Sequence, residues 1–437
     1  MKILKFGGTS VGSPERIKKM VELIHNEDKK IVVLSAMSGT TNKLVEIATA
    51  LYAKEHEKAG ELINKLQEDY LKVIDDLYQS PESIVKGREM INAHFGFIRS
   101  FTLDLFTIFE ERAILAQGEL ISTALLQFYL EELHIDSVLL SALNFMRIDV
   151  NEEPDFQFIE ENLKKELSQF SEKKLFITQG YICRNTFGEV DNLKRGGSDY
   201  TASLIGAALT AEEIQIWTDI DGMHNNDPRF VENTYPIAEL SFDEAAELAY
   251  FGAKILHPSS VMPAKLRNVP VRLLNTMNPQ AKGTLISSVS SGENIKAVAA
   301  KDDIIAIKIK SGRMLLAYGF MRSVFEVFER FKTPIDMITT SEVAVSITID
   351  NNKFLTEIIE ELQTFGTVEV DDGHTIICIV GDFLAEKTGY GIKIFEALKS
   401  IPIRMISYGG SKNNISLLVS TSQKKEVLNA LNKGIFN

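Results

Sequence analysis

Lys2 to Phe6 is an apolar strand-like run that stops on two glycines, Gly7 and Gly8, and Ser13 with Pro14 then open a helical pattern. A strand that passes into a helix through adjacent glycines restricts the fold strongly. It is the first half of a strand-turn-helix unit, and repeats of that unit build a mostly parallel sheet with helices on both faces. Ser13 suits the N-cap and Pro14 the first helical position, while Ile17, Met20, Val21 and Ile24 mark one buried stripe. The turn itself, Lys5-Phe6-Gly7-Gly8-Thr9-Ser10, also has the makings of a phosphate cradle. Side-chain-free glycines let backbone N–H groups approach an anion, the helix start adds the favourable end of its dipole, and Lys5 adds a point charge. The competing reading is a tight turn beside a solvated lysine, and a short glycine motif does not by itself separate the two.

The chain has 437 residues, 45% hydrophobic and 24% charged, enough for two or three domains with a substantial core. Its net charge of -13 argues against nucleic acid, whose partners carry a basic face, and points to small molecules. Cys183 and Cys378 are the only cysteines, so no disulfide framework is implied. The N-terminus lacks a long apolar leader and no uninterrupted apolar stretch approaches a membrane span, so a reducing cytoplasm is the expected setting.

Strand-like runs at Ile31 to Ala36, Ser137 to Ser141, Lys174 to Gln179, Ile214 to Thr218 and Val269 to Leu274 alternate with helical patterns. Continuous apolar runs of this kind fit buried parallel strands. Lys54 to Arg99 is charged and helical, an outer layer; Leu103 to Leu133 is one long helical stretch with Gly118 as the place for a kink. A serine-rich stretch between Gly283 and Glu293 reads as a linker. Beyond it the chain repeats itself. Ile304-Ile305-Ala306-Ile307 is echoed by Ile376-Ile377-Cys378-Ile379, and Pro334-Ile335-Asp336-Met337-Ile338 by Pro402-Ile403-Arg404-Met405-Ile406. Two small ferredoxin-like modules account for this, giving domains over residues 1–290, 295–370 and 371–437, with the last strand able to pair back into the first module.

Three further segments carry chemistry. Arg195-Gly196-Gly197-Ser198-Asp199 leads into a helix and combines a fork-shaped cation, backbone donors and a carboxylate, a fit for a substrate carboxylate; a charged loop with Asp199 at a helix start is the bland alternative. Glu119 interrupts an apolar helical stretch, where burial is costly without a cation: a substrate ammonium satisfies it, as does a neighbouring lysine or simple exposure. Trp217-Thr218-Asp219 ends a strand and is followed by His224, Asp227-Pro228-Arg229 and Lys254, a set suited to nucleotide contact. His224 and His257 are not spaced as metal ligands, so no metal is expected on protein side chains.

These segments, in this order and approximate spacing together with Asp336-Met337-Ile338-Thr339-Thr340-Ser341-Glu342, resemble the aspartokinases of the amino-acid kinase superfamily over nearly the whole chain. The resemblance implies an amino-acid kinase fold followed by paired ACT domains. It implies ATP-dependent phosphorylation of the L-aspartate side chain to 4-phospho-L-aspartate, the first step towards lysine, threonine and methionine, with Mg²⁺ on the ATP oxygens. By it, Lys5 and Asp199 are catalytic, and Lys5, Phe6, Gly7, Gly8, Thr218, Asp219, His224, Arg229, Lys254 and Ile255 line the ATP site. Ser35, Thr41, Glu119, Arg195, Gly196, Gly197 and Ser198 hold aspartate. Met314, Gly319, Phe320, Met321, Asp336, Thr340, Ser341 and Glu342 form an effector pocket, lysine being the first expectation and threonine the second.

His224 stands where many relatives carry tyrosine, and Ala317 and Pro334 replace polar residues found in lysine-sensitive ones. A homodimer through the ACT domains, or a tetramer of such dimers, is implied. With no Gly-x-Gly-x-x-Gly motif and an end at Asn437, a monofunctional enzyme is expected. Two alternatives stay open: a kinase of the same superfamily acting on glutamate, an acetylated amino acid or UMP, and a catalytically silent amino-acid sensor.

Overall fold

The computed structural model describes residues 1–103, 105–194, 196–252, 256–289, 292, 295–312, 318–382 and 388–436. The chain divides into two compact units, Met1–Met223 with Leu256–Val289, and His224–Ile255 with Ser290–Asn437.

In the first unit, strands β1 (Lys2–Phe6), β2 (Lys30–Leu34), β3 (Val138–Leu140), β4 (Leu175–Gln179) and β7 (Glu213–Thr218) are joined by Val271–Asn275 and Thr284–Ser287. They lie in the order β3-β4-β2-β1-β7, then Val271–Asn275 and Thr284–Ser287. All pairs are parallel except the last. The sheet is central and largely apolar because both faces are covered, as for β2 and β4, whose every residue is buried. β1 has β2 on one side and β7 on the other, so the chain reverses its winding at β1. A crevice opens beyond the carboxyl end of the strand at such a reversal, which puts Gly7 and Gly8 at the expected binding position.

Local chemistry sets the helices. Helix α1 (Pro14–Ile24) starts as expected, with Ser13 accepting from the Arg16 N–H and Pro14 in the first turn. Helices α2 (Thr40–Tyr52), α3 (His56–Leu77) and α4 (Pro81–Ser100) follow, α3 burying Ala59, Ile63, Leu66, Tyr70, Ile74 and Leu77 along one stripe. The long helix α5 spans Ile108–Glu132 and begins five residues later than its composition suggests, because Thr107 and Glu110 close a capping box there. Gly118 lies inside it; a Cβ at that position would fall 2.8 Å from Ala36 Cβ, so the glycine serves close packing. By length and composition α5 could cross a membrane, but Gln117 and Glu119 interrupt its apolar run and most of it is buried inside the protein as a core helix.

The second unit contains α8 (Phe242–Tyr250) and one antiparallel sheet in the order Ile338–Thr340, Ala344–Ile349, Ile295–Lys310, Thr367–Gly381, Asn414–Ser420, Met405–Tyr408. Its two central strands are 16 and 15 residues long and run through both halves of the sheet. The expected division between residues 370 and 371 therefore falls within one continuous strand. The halves keep separate cores: Ile305, Ile307, Ile309, Val324, Val327 and Phe328 in one, Ile377, Ile379, Ile394, Leu417 and Leu428 in the other. Where the halves meet, the pairing register shifts between Lys301 and Ala306, and Asp303 and Gly373 adopt positive φ.

Candidate active site

Phe6 ends β1 with its ring fully buried and stacked on Trp217, centroids 5.7 Å apart, and its carbonyl accepts from the Ser35 N–H. The side chain expected at the nucleotide is thus a packing residue. The Gly7 N–H is also engaged, donating to the Trp217 carbonyl, while Ser10 Oγ lies 2.7 Å from Thr276 Oγ1. These bonds fix the turn. What remains presented is Lys5: its Nζ lies 2.7 Å from Asp199 Oδ1, both side chains mostly buried, and Gly7 gives it room, since a Cβ there would sit 3.4 Å from that nitrogen. Asp199 arrives in the first turn of α7 (Gly197–Ala208), whose N-cap Gly196 takes φ +80. The expected cation and the expected carboxylate, 194 positions apart, form one ion pair.

Beside this pair a cavity of about 480 Å³ is lined by Gly8, Thr9, residues 35–39, Thr41, Asn42, Glu119, Tyr181, Gly197 and Ser198. It gathers most of the residues expected to hold substrate: Ser35 Oγ donates to Ser198 Oγ at 2.9 Å, and Thr41 and Gly197 line the wall. Gly8 is sterically required, as a Cβ would fall 2.9 Å from the Ala36 carbonyl. Glu119 is 4% exposed. Its Oε1 accepts from the Ala36 N–H at 3.2 Å, and its Oε2 is buried without a hydrogen-bond partner. Burial pushes its carboxyl up to about 7, against the smaller opposing effect of the Ala36 amide. Of the readings open for Glu119 in the sequence, exposure is excluded, and no salt bridge to a lysine satisfies it among the described residues.

Tyr181, which the sequence reading passed over, is the main addition. It lies two residues past the end of β4, so the rule that ligands bind past strand ends was the available pointer. Its φ of +66 is unusual for a bulky side chain, and its N–H is held by Thr201 Oγ1 on α7 at 2.9 Å. Burial and the nearby Glu119 raise its phenol to about 12, so the ring presents a neutral hydroxyl. Gly180 permits this arrangement: a Cβ there would lie 2.3 Å from Ser198 Cβ.

Other expected residues lie elsewhere or outside the described set. Thr218 ends β7, and its hydroxyl donates to Asp219 at 3.1 Å. His224 and Arg229 belong to the second unit, where His224 Nδ1 lies 3.1 Å from Thr234 Oγ1 and Arg229 is clasped by Asp227 through Nε and Nη2. Arg195, Lys254, Ile255 and Met314 lie outside the described residues.

The remaining effector candidates lie in the second unit. Thr340 and Ser341 line a cavity of about 470 Å³ with Lys308, Lys310 and Ser346. Gly319, at φ +87, caps the helix Phe320–Arg330, where Phe320 and Met321 pack on the first core; Glu342 is exposed. Asp336, expected to meet an effector ammonium, is already engaged: Lys301 Nζ lies 2.6 Å and the Tyr250 hydroxyl 2.7 Å from its Oδ1. Its Oδ2 is buried without a partner.

The amino acid kinase family model matches residues 1–275, and an ACT domain model matches residues 377–434. The chain is 32% identical to lysine-sensitive aspartokinase 3 of Escherichia coli (strain K12), covering 99% of both chains. It is 34% identical to the chloroplastic aspartokinase 3 of Arabidopsis thaliana, over 99% of this chain and 81% of that one. Among solved structures, E. coli aspartokinase III in complex with aspartate and ADP (R-state) superposes over all of both chains with a TM-score of 0.85 at 30% identity. The same enzyme in complex with lysine and aspartate (T-state) gives 0.83 at 31%. With a catalytic-domain match over most of its length and relatives aligned end to end, this chain belongs to the aspartokinase family.

Proposed function

We propose that this chain transfers the terminal phosphoryl group of ATP to the side-chain carboxylate of L-aspartate, giving 4-phospho-L-aspartate and ADP. The observation that carries this reading is Glu119: a buried carboxylate with one unpartnered oxygen, in the same cavity as the glycine turn beside Lys5. A ligand ammonium placed on that oxygen repairs the desolvation penalty, which selects an amino acid rather than a simple carboxylic acid. Ser35, Thr41 and Ser198 supply hydroxyls around it, and Arg195 is the cation assigned to the α-carboxylate.

The acceptor needs no general base, because a carboxylate is already ionised at neutral pH. The barrier comes from bringing two anions together and from charge growing on the transferring group. Lys5 meets that charge, held in place by Asp199, and Gly8 presents backbone to the phosphates. Mg²⁺ ordinarily binds through substrate phosphates and waters with one or two carboxylates. Among the described residues no group of three acidic, His or Cys ligands is poised for it, so the ion would be held chiefly by the oxygens of ATP itself. The ion would neutralise phosphate charge when bound.

The nucleotide contacts assigned to Thr218, Asp219, His224, Arg229, Lys254 and Ile255 belong to this proposal, as do a catalytic domain over residues 1–290 and two ACT modules after it. So do feedback inhibition by lysine, with threonine the second candidate, and a homodimer joined through the ACT modules. Two buried free cysteines suit a reducing cytoplasm. The test is a hydroxylamine trap for acyl phosphate run with ATP and either aspartate or glutamate. Hydroxamate from aspartate alone supports the proposal; product from glutamate alone, or from neither, refutes it.

A further inference from the structure

The hairpin of β5 (Ile182–Arg184) and β6 (Val190–Asn192) leaves the cavity at Tyr181 and returns the chain toward Gly197. Its base is closed by Leu193, whose N–H donates to the Tyr181 carbonyl at 2.8 Å. Asp191, 2% exposed on β6, accepts from the Asn192 N–H through one oxygen and from Arg112 through the other. Arg112 is 15% exposed and also lies 3.7 Å from Glu152, itself paired with Lys194. Arg112 sits on α5, seven residues before Glu119. Seven residues are two helical turns, so both side chains leave the same face of α5, roughly 10 Å apart along its axis.

From this we infer that the Arg112–Asp191 pair is a positioning device that sets the distance between the amino-group acceptor Glu119 and the opposite wall of the cavity, Tyr181 and Ser198. Resting on the aspartate reading, it assigns two residues that touch no substrate. The chain of contacts is continuous. Arg112 fixes Asp191, Asp191 fixes β6, β6 leads through Leu193 to Tyr181, and Tyr181 bonds Thr201 on α7, the helix that begins with the cavity residues Gly197 and Ser198. A buried, hydrogen-bonded ion pair is weak evidence of stability but a good device for fixing one register, because any slip leaves a charge unpaired.

Asp191→Asn is the informative variant. Its side chain keeps the shape, but an amide must turn its NH₂ toward either Arg112 or the Asn192 N–H, and one bond is lost. In the full-length enzyme the KM for aspartate should rise at least fivefold while the KM for ATP stays within twofold. Arg112→Met should raise the aspartate KM more, and Arg112→Lys, which retains a point charge, should recover most of the wild-type value. A merely structural pair would lower the melting temperature and move both KM values together, or move neither; either result overturns the inference. Should Arg112→Met fail to fold, Asp191→Asn and Arg112→Lys decide it alone. If the wild-type enzyme makes no acyl phosphate from aspartate, the functional reading has failed instead.

Discussion

Replacing Glu119 with glutamine tests the amino-group site, and its size follows from burial. The carboxyl is held at about 7 rather than 4.5, chiefly by desolvation, so keeping it ionised in the empty cavity costs about 3 kcal/mol. In Glu119→Gln a charge-assisted bond to the ligand ammonium is lost, roughly 1.5–3 kcal/mol, which raises the KM for aspartate about 10- to 150-fold with little change in the KM for ATP. The pH dependence is sharper. The free enzyme is protonated at Glu119 below about 7, so wild-type kcat/KM for aspartate should fall about tenfold per unit on the acid side and level off above it. Aspartate's own side chain titrates near 4 and does not interfere.

The linked stability runs the other way. The folded pKa lies above the unfolded one, so Glu119's contribution is fully present below 4.5 and is lost as pH rises through about 7. The melting temperature of the ligand-free wild type should therefore fall relative to Glu119→Gln between pH 5 and 8. Steady-state kinetics across that range, with a matching thermal series, measure both. An unchanged aspartate KM in the variant, or a flat wild-type profile from pH 5.5 to 8, would refute the reasoning.

Gly180→Ala places a methyl 2.3 Å from Ser198 Cβ and should cost about 1–3 kcal/mol in stability together with a higher aspartate KM; calorimetry and kinetics on the variant check both. Lys301→Met strips Asp336 of its cation and should destabilise the protein by about 3–5 kcal/mol while altering the response to added lysine, read by thermal unfolding and an inhibition titration. Lysine titrated into the wild-type assay at millimolar concentrations should lower the rate and threonine should do so less; if neither changes it, the effector assignment is wrong and the kinase assignment stands.

The legible parts of the chain were those fixed by short-range chemistry. The Ser13-Pro14 start, the apolar strands and the glycine turn all follow from neighbouring residues. Residues at strand ends and helix starts, such as Ser35, Ser198 and Asp199, could be singled out because an open α/β sheet binds ligands there. Long-range pairing was not legible. Lys301 and Asp336 lie 35 residues apart and meet across the sheet, so a carboxylate that looked free for an effector is already paired. Phe6 looked like a site residue through its neighbours in the motif, but strand alternation turns its ring into the core against Trp217. Likewise, the repeat revealed two modules while giving no sign that two long strands are shared between them. Tyr181 was missed because its importance comes from a left-handed backbone held by Thr201, which no local propensity announces.

The central claim is that the Lys5 ammonium, held by Asp199, stabilises negative charge as a phosphoryl group moves to an amino acid carboxylate. Its most direct test is the turnover number of a folded Lys5→Met variant, with aspartate binding measured alongside. A fall in kcat of about 10²–10³ or more, with aspartate still bound, is the expected result. Undiminished turnover in a well-folded variant would contradict it.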